Sequence, residues 1–133
     1  MTGRPDEVDV RAAVDHLVSA FGQGDLVGYF GAFHPDATFV FHTTPRRLDG
    51  VAAYQAEWNR WTVEDGFVVL SCRTSDARVQ VWGDAAVVTH LVETRTRTHG
   101  GIATARERET IVLQRQSDGR WLAIHEHLSL APA

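Results

Sequence analysis

From Gly66 to the end of the chain the hydrophobic pattern has a period of two, and glycine-containing turns interrupt it three times, at Gly83-Asp84, Gly100-Gly101 and Asp118-Gly119. Alternation with that period marks half-buried strands, and turns this short can join only antiparallel neighbours. The spacing predicts strands over 67–82, 85–98, 104–116 and 120–129, laid down as consecutive hairpins. Half the chain is thereby committed to one antiparallel sheet of long strands.

The first half has a different rhythm. Val10, Ala13, Val14, Leu17, Val18 and Phe21 follow helical spacing from a start at Asp6, and Gly22 and Gly24 end that helix. Asp25 caps a shorter helix through Leu26, Tyr29, Phe30 and Phe33, stopped by Pro35. Residues 37–42 read as a strand, 43–48 as a loop, and Asp49-Gly50 opens a third helix through Val51, Tyr54, Trp58 and Trp61. Helices first and a meander afterwards define an α+β class, with the helices on one face of a curved sheet. The 133 residues suit one domain, residues 1–133 with a core of about 8–130.

Composition removes several functions. A net charge of −4 gives no electrostatic support for nucleic acid. All 13 basic residues are Arg, and the single Cys72 rules out an internal disulfide. The N-terminus lacks an apolar signal core and no run is long enough to span a membrane, so the expected location is cytoplasmic, with no membrane partner. Phosphate-loop, dinucleotide, nucleophile-elbow and zincin motifs are absent, and no cofactor is expected.

The run Gly24-Asp25-Leu26, Phe33, Asp36-Ala37-Thr38 to Asp49-Gly50 resembles the ketosteroid isomerases of the nuclear transport factor 2-like superfamily. Glu109-Thr110, Asp118-Gly119-Arg120-Trp121 and His125-x-His127-x-Ser129 are more similar to the SnoaL-like subgroup and to the association domain of calcium/calmodulin-dependent kinase II. The resemblance spans about residues 10–130. It implies a cone-shaped α+β barrel, three N-terminal helices on a strongly curved, mixed but mostly antiparallel sheet. On it the isomerase's proton-shuttling aspartate falls on Phe41, its oxyanion tyrosine on Leu17 and its second oxyanion acid on Glu109. The association domain's pocket arginines fall near Val92, Ile111 and Leu128.

Several residues carry candidate chemistry. Glu107 and Glu109 share one face of a strand with Ile111, opposite Arg106 and Arg108. Facing inward, such acids gain a raised pKa and can donate or accept a proton; facing outward, they make cross-strand ion pairs. His42, one residue past the position of the isomerase base, is a second acid/base candidate, or a strand-end histidine tied to the next loop. His90 is a cavity candidate or a satisfied core histidine. Tyr54, Trp58 and Trp61 share a helix face that either packs on the sheet or walls a ligand site, and Tyr29 carries the same choice. His125 and His127 point one way and could chelate a metal, but a third ligand is not placed and no metal is expected. Arg95, Arg97 and His99, alternating with Thr94, Thr96 and Thr98, read as a solvated face or a subunit contact.

These readings lead to a pocket enzyme of isomerase, cyclase or dehydratase type acting on a small apolar carbonyl compound. Glu109 and His42 are the catalytic candidates, and Tyr29, Tyr54, Trp58, Trp61, His90, Glu107 and Ile111 the ligand-binding ones. The alternative is a non-catalytic ligand-binding or assembly module. In either case a homodimer would cover the free sheet face.

Overall fold

The computed structural model describes residues 4–132. Helix α1 (Pro5–Gln23) begins with Pro5 in the first turn, where its missing N–H costs nothing, and with Asp6 and Glu7 against the positive end of the helix dipole. Val10, Val14, Leu17 and Ala20 form its buried stripe. Gly24, at φ 72°, sends the chain out in the left-handed conformation, while the Asp25 N–H reaches back to the Ala20 carbonyl at 2.9 Å. Asp25 then caps α2 (Leu26–Gly31), its Oδ1 accepting the Gly28 N–H at 3.0 Å. Helix α2 is shorter than the sequence reading: Phe33 opens strand β1 (Phe33–Phe41). Its ring packs edge-on against Phe39 rather than lying on a helix face.

The two-residue β2 (Leu48–Asp49) returns antiparallel to β1 before α3 (Val51–Asp65), which buries Tyr54 and Trp58. The remaining strands are β3 (Val68–Trp82), β4 (Ala85–Thr98), β5 (Gly101–Arg115) and β6 (Trp121–Leu130). They form one six-stranded sheet in the order β2-β1-β6-β5-β4-β3. Only β1 and β6 run parallel; the other pairs are antiparallel. The sheet does not close, because β2 and β3 are its two edges, and the three helices complete the cone instead. Edge strand β3 carries two register shifts, with Asp76 at φ 55° beside the second, which breaks the flat edge a foreign strand would need.

One irregularity decides what the cone contains. Between Val112↔His125 and Leu113↔Ala123 the β5–β6 register skips Ile124, a one-residue β-bulge in β6. Before it, odd-numbered Trp121 and Ala123 are buried; after it, even-numbered Glu126 is buried and His127 is exposed. The extra residue turns Glu126 into the interior and puts His125 and His127 outside.

Candidate functional site

The cone holds a cavity of about 220 Å³ between the helices and the inner face of the sheet. Its apolar walls include Leu17, Phe21, Phe41, Tyr54, Trp58 and Trp61. Three carboxyl groups face it, those of Glu107, Glu109 and Glu126. Glu109 sits opposite Leu128 in the β5–β6 ladder and Glu126 opposite Ile111, so the two acids are diagonal neighbours on one sheet face, within reach of each other.

The three acids are held differently. His90, opposite Glu109 across the β4–β5 ladder, brings its Nε2 to 2.6 Å from Glu109 Oε1, with only 2% of the imidazole side chain exposed. His42, in the turn after β1, brings its Nε2 to 2.5 Å from Glu107 Oε2. Glu126 has no such support: it is 3% exposed and its Oε2 has no hydrogen-bond partner. Burial, and then the neighbouring carboxyl groups of Glu109 and Glu107, push Glu126 well above the usual carboxylate range. The cavity thus pairs Glu126, whose proton burial holds more tightly, with Glu109, a carboxyl group braced by a histidine.

The aromatic residues are fixed by one another. The hydroxyls of Tyr29 and Tyr54 meet at 2.9 Å, and the Tyr54 ring lies 4.5 Å from that of Phe39. Burial, and then the proximity of Glu126, raise both phenols well above their ordinary values, so neither supplies a phenolate. Burial likewise pushes the Cys72 thiol up to about 11, which removes it as a nucleophile at neutral pH.

Of the residues singled out from sequence, Glu107, Glu109, Tyr29, Tyr54, Trp58 and Trp61 line the cavity. Three lie outside that lining. His42 is not in the wall: its ring lies behind Glu107, so it acts on the cavity only through that carboxyl group. His90 stands in the same relation to Glu109. Ile111 shares the acids' face but is fully buried in the core, one step deeper along β5 than the cavity floor. The threonine side of the polar β4 end also turns inward, with Thr94 and Thr96 in the wall.

Glu126 carries no signal of its own in the sequence, although it lies between His125 and His127. A strict alternation from Trp121 and Ala123 would place it outside, and only the bulge reverses that. His125 donates to or accepts from Thr38 Oγ1 at 2.8 Å on the other face, and among the described residues no cluster of three ligating side chains could hold a metal ion. Among them, too, no helix is long and apolar enough to cross a membrane.

A family model described as a SnoaL-like domain matches residues 10–133. The chain belongs to the SnoaL-like domain family. Solved structures agree on the fold. A ketosteroid isomerase-like protein from Erwinia carotovora atroseptica superposes with a TM-score of 0.81 at 17% identity, covering 98% of this chain and 100% of that one. A nuclear transport factor 2-like superfamily protein from Salmonella enterica Typhimurium gives 0.80 at 15% identity, covering 96% and 92%. A protein from Catenulispora acidiphila, in complex with S-DNPA, gives 0.74 at 18% identity, covering 91% and 90%. No curated protein matches the sequence significantly. This SnoaL-like domain keeps Leu17, Phe41 and Glu109 in one cavity wall, the three positions that the isomerase resemblance brought together. The fold supports a pocket protein that binds a ligand.

Proposed function

We propose that this SnoaL-like domain is a cofactor-independent acid/base enzyme of isomerase, cyclase or lyase type, acting on a small, largely apolar carbonyl compound. The observation that carries the reading is the adjacency of Glu109 and Glu126 in one apolar cavity, one bonded to His90 and the other buried without a partner for Oε2. Two carboxyl groups whose surroundings separate their protonation are the usual division between a base and an acid.

Glu109 takes a proton from the carbon next to the carbonyl. The electron pair of that C–H bond becomes the enol double bond, and the carbonyl oxygen accepts the proton of Glu126. Glu109 then returns its proton to carbon, at the same or a conjugated position, and Glu126 recovers its own. His90 is a positioning residue that fixes the Glu109 carboxylate, and Tyr54, Trp58 and Trp61 exclude water. At about 220 Å³ the cavity lies below the ~300–1,000 Å³ of pockets for drug-sized ligands, which favours a compact substrate.

Deuterium uptake tests this without knowledge of the natural substrate. Small ketones such as 4-ethylcyclohexanone and 2-tetralone, incubated with the protein in D2O, should exchange their α hydrogens faster than in buffer, as read by NMR. Glu109→Gln should reduce the enzymatic rate about 100-fold or more, the usual contribution of a general base. Ketones that bind but exchange no faster than in buffer would overturn the catalytic reading. They would leave the alternative, a ligand-binding or assembly module, which is favoured by Leu17 and Phe41 standing where the isomerase resemblance expects proton-handling groups.

A further inference from the structure

The proposed chemistry uses Glu109 and Glu126 and leaves the third acid idle. Glu107 lies in the same wall, 9% exposed, with its Oε2 taken by His42 and its other oxygen free of any bond to protein among the described residues. It stands two residues along β5 from Glu109, a separation of about 7 Å on an extended strand. No Arg, Lys or His lines the cavity among the described residues.

The polar inventory of the wall is lopsided. Glu107 and Glu109 supply acceptors, whereas the donors are the one proton of Glu126 and a few hydroxyls, partly committed: those of Tyr29 and Tyr54 bond to each other, and that of Thr94 points at Cys72 Sγ, leaving Thr43 and Thr96. Glu126 Oε2, buried and unpartnered, adds one more group waiting for a ligand. Such a cavity repels an anion and leaves a neutral hydrocarbon ligand with buried acceptors it cannot satisfy. Trp61 and Phe67, packed at 5.6 Å between ring centroids, line the same space and offer π faces that attract cations.

We infer that the ligand is an amino-carbonyl compound, whose protonated nitrogen sits on Glu107 beside Trp61 and Phe67 while its carbonyl oxygen lies some 5–7 Å away at Glu126 and Glu109. A primary ammonium provides three donors, enough for the free Glu107 oxygen and the nearby threonines. The His42 imidazole holds Glu107 from behind, so the carboxyl group is oriented before the ligand arrives. This inference rests on the carbonyl end being held as proposed above, but it is tested by charge preference and not by turnover.

Three cyclohexanones of nearly equal size separate the cases: 4-(aminomethyl)cyclohexanone, its neutral isostere 4-ethylcyclohexanone, and the anionic 4-oxocyclohexanecarboxylate. Titration calorimetry at pH 7 and low salt should rank them amine, ethyl, carboxylate, with the amine about tenfold or more tighter than the ethyl compound, as a charged hydrogen bond in a shielded site provides. Glu107→Gln should remove the amine's advantage and leave the affinity for the ethyl compound within about twofold. The inference is overturned if wild-type protein binds the amine no tighter than the ethyl compound, or if Glu107→Gln weakens both ligands alike. Should Glu107→Gln fail to fold, the wild-type ranking decides alone. Absent α exchange with the amine preference intact would remove the catalytic proposal and leave this inference standing.

Discussion

Replacing Glu126 by Gln should stabilise the protein, and by an amount that grows with pH. The side chain is buried with no partner for Oε2, and the surrounding acids hold it protonated. In the unfolded chain a glutamate loses its proton near pH 4.3, so above that pH the folded state binds more protons than the unfolded state and stability falls as pH rises. Each pH unit over which Glu126 stays protonated in the fold removes about 1.4 kcal/mol. A Glu126 that keeps its proton up to pH 7 carries a handicap of about 2.7 kcal/mol between pH 5 and pH 7. Glutamine has nearly the same shape and no proton to lose, so the variant escapes the penalty. For a chain of this length the melting temperature moves by roughly 3–5 °C per kcal/mol. The gap between Glu126→Gln and wild type should therefore widen by roughly 10 °C from pH 5 to pH 7. Thermal unfolding followed by circular dichroism at half-unit pH steps measures it. Parallel curves for the two proteins over that range would refute the reasoning, because they would mean that Glu126 ionises in the fold as readily as in the unfolded chain.

Tyr29→Phe or Tyr54→Phe leaves one buried hydroxyl without its partner and should cost about 1–3 kcal/mol in chemical denaturation, whereas the double variant should cost less than the sum of the two. Cys72 should react with a thiol reagent at pH 8 at least 10-fold more slowly in native than in denaturant-unfolded protein, since burial holds its thiol at about 11. Ile111→Ala should lose about 2–5 kcal/mol of stability with ketone affinity nearly unchanged, because Ile111 is fully buried in the core and outside the cavity wall.

The long elements were legible because each repeats one signal many times. The stripe Val10, Val14 and Leu17 and the hairpin strands β3 to β6 lie within a few residues of where their periodicity places them. Short elements were not: α2 has six residues, too few for a helical period to overrule the strand propensity that draws Phe33 into β1. At the site, parity along β5 put Glu107 and Glu109 on the face of Ile111 but left open whether that face turned inward, which the regular pairing of the strand's buried half decides. Parity along β6 failed at Ile124, where no glycine or proline marks the bulge, and the failure hid the most perturbed acid of the cavity. The histidine partners were invisible for another reason. His42 and Glu107 are 65 positions apart, and His90 and Glu109 meet only through the β4–β5 pairing, so their contacts depend on register and not on local pattern.

The skipped residue in β6 means that strand pairing, as much as side-chain identity, sets the acidity of this interior. Deleting Ile124 would remove the bulge and leave Glu126 facing inward, whereas keeping every residue and straightening the strand would turn His125 and His127 inward and Glu126 out. An acid and an imidazole thus compete for one interior through the pairing of a single residue, which comparing sequences column by column would overlook.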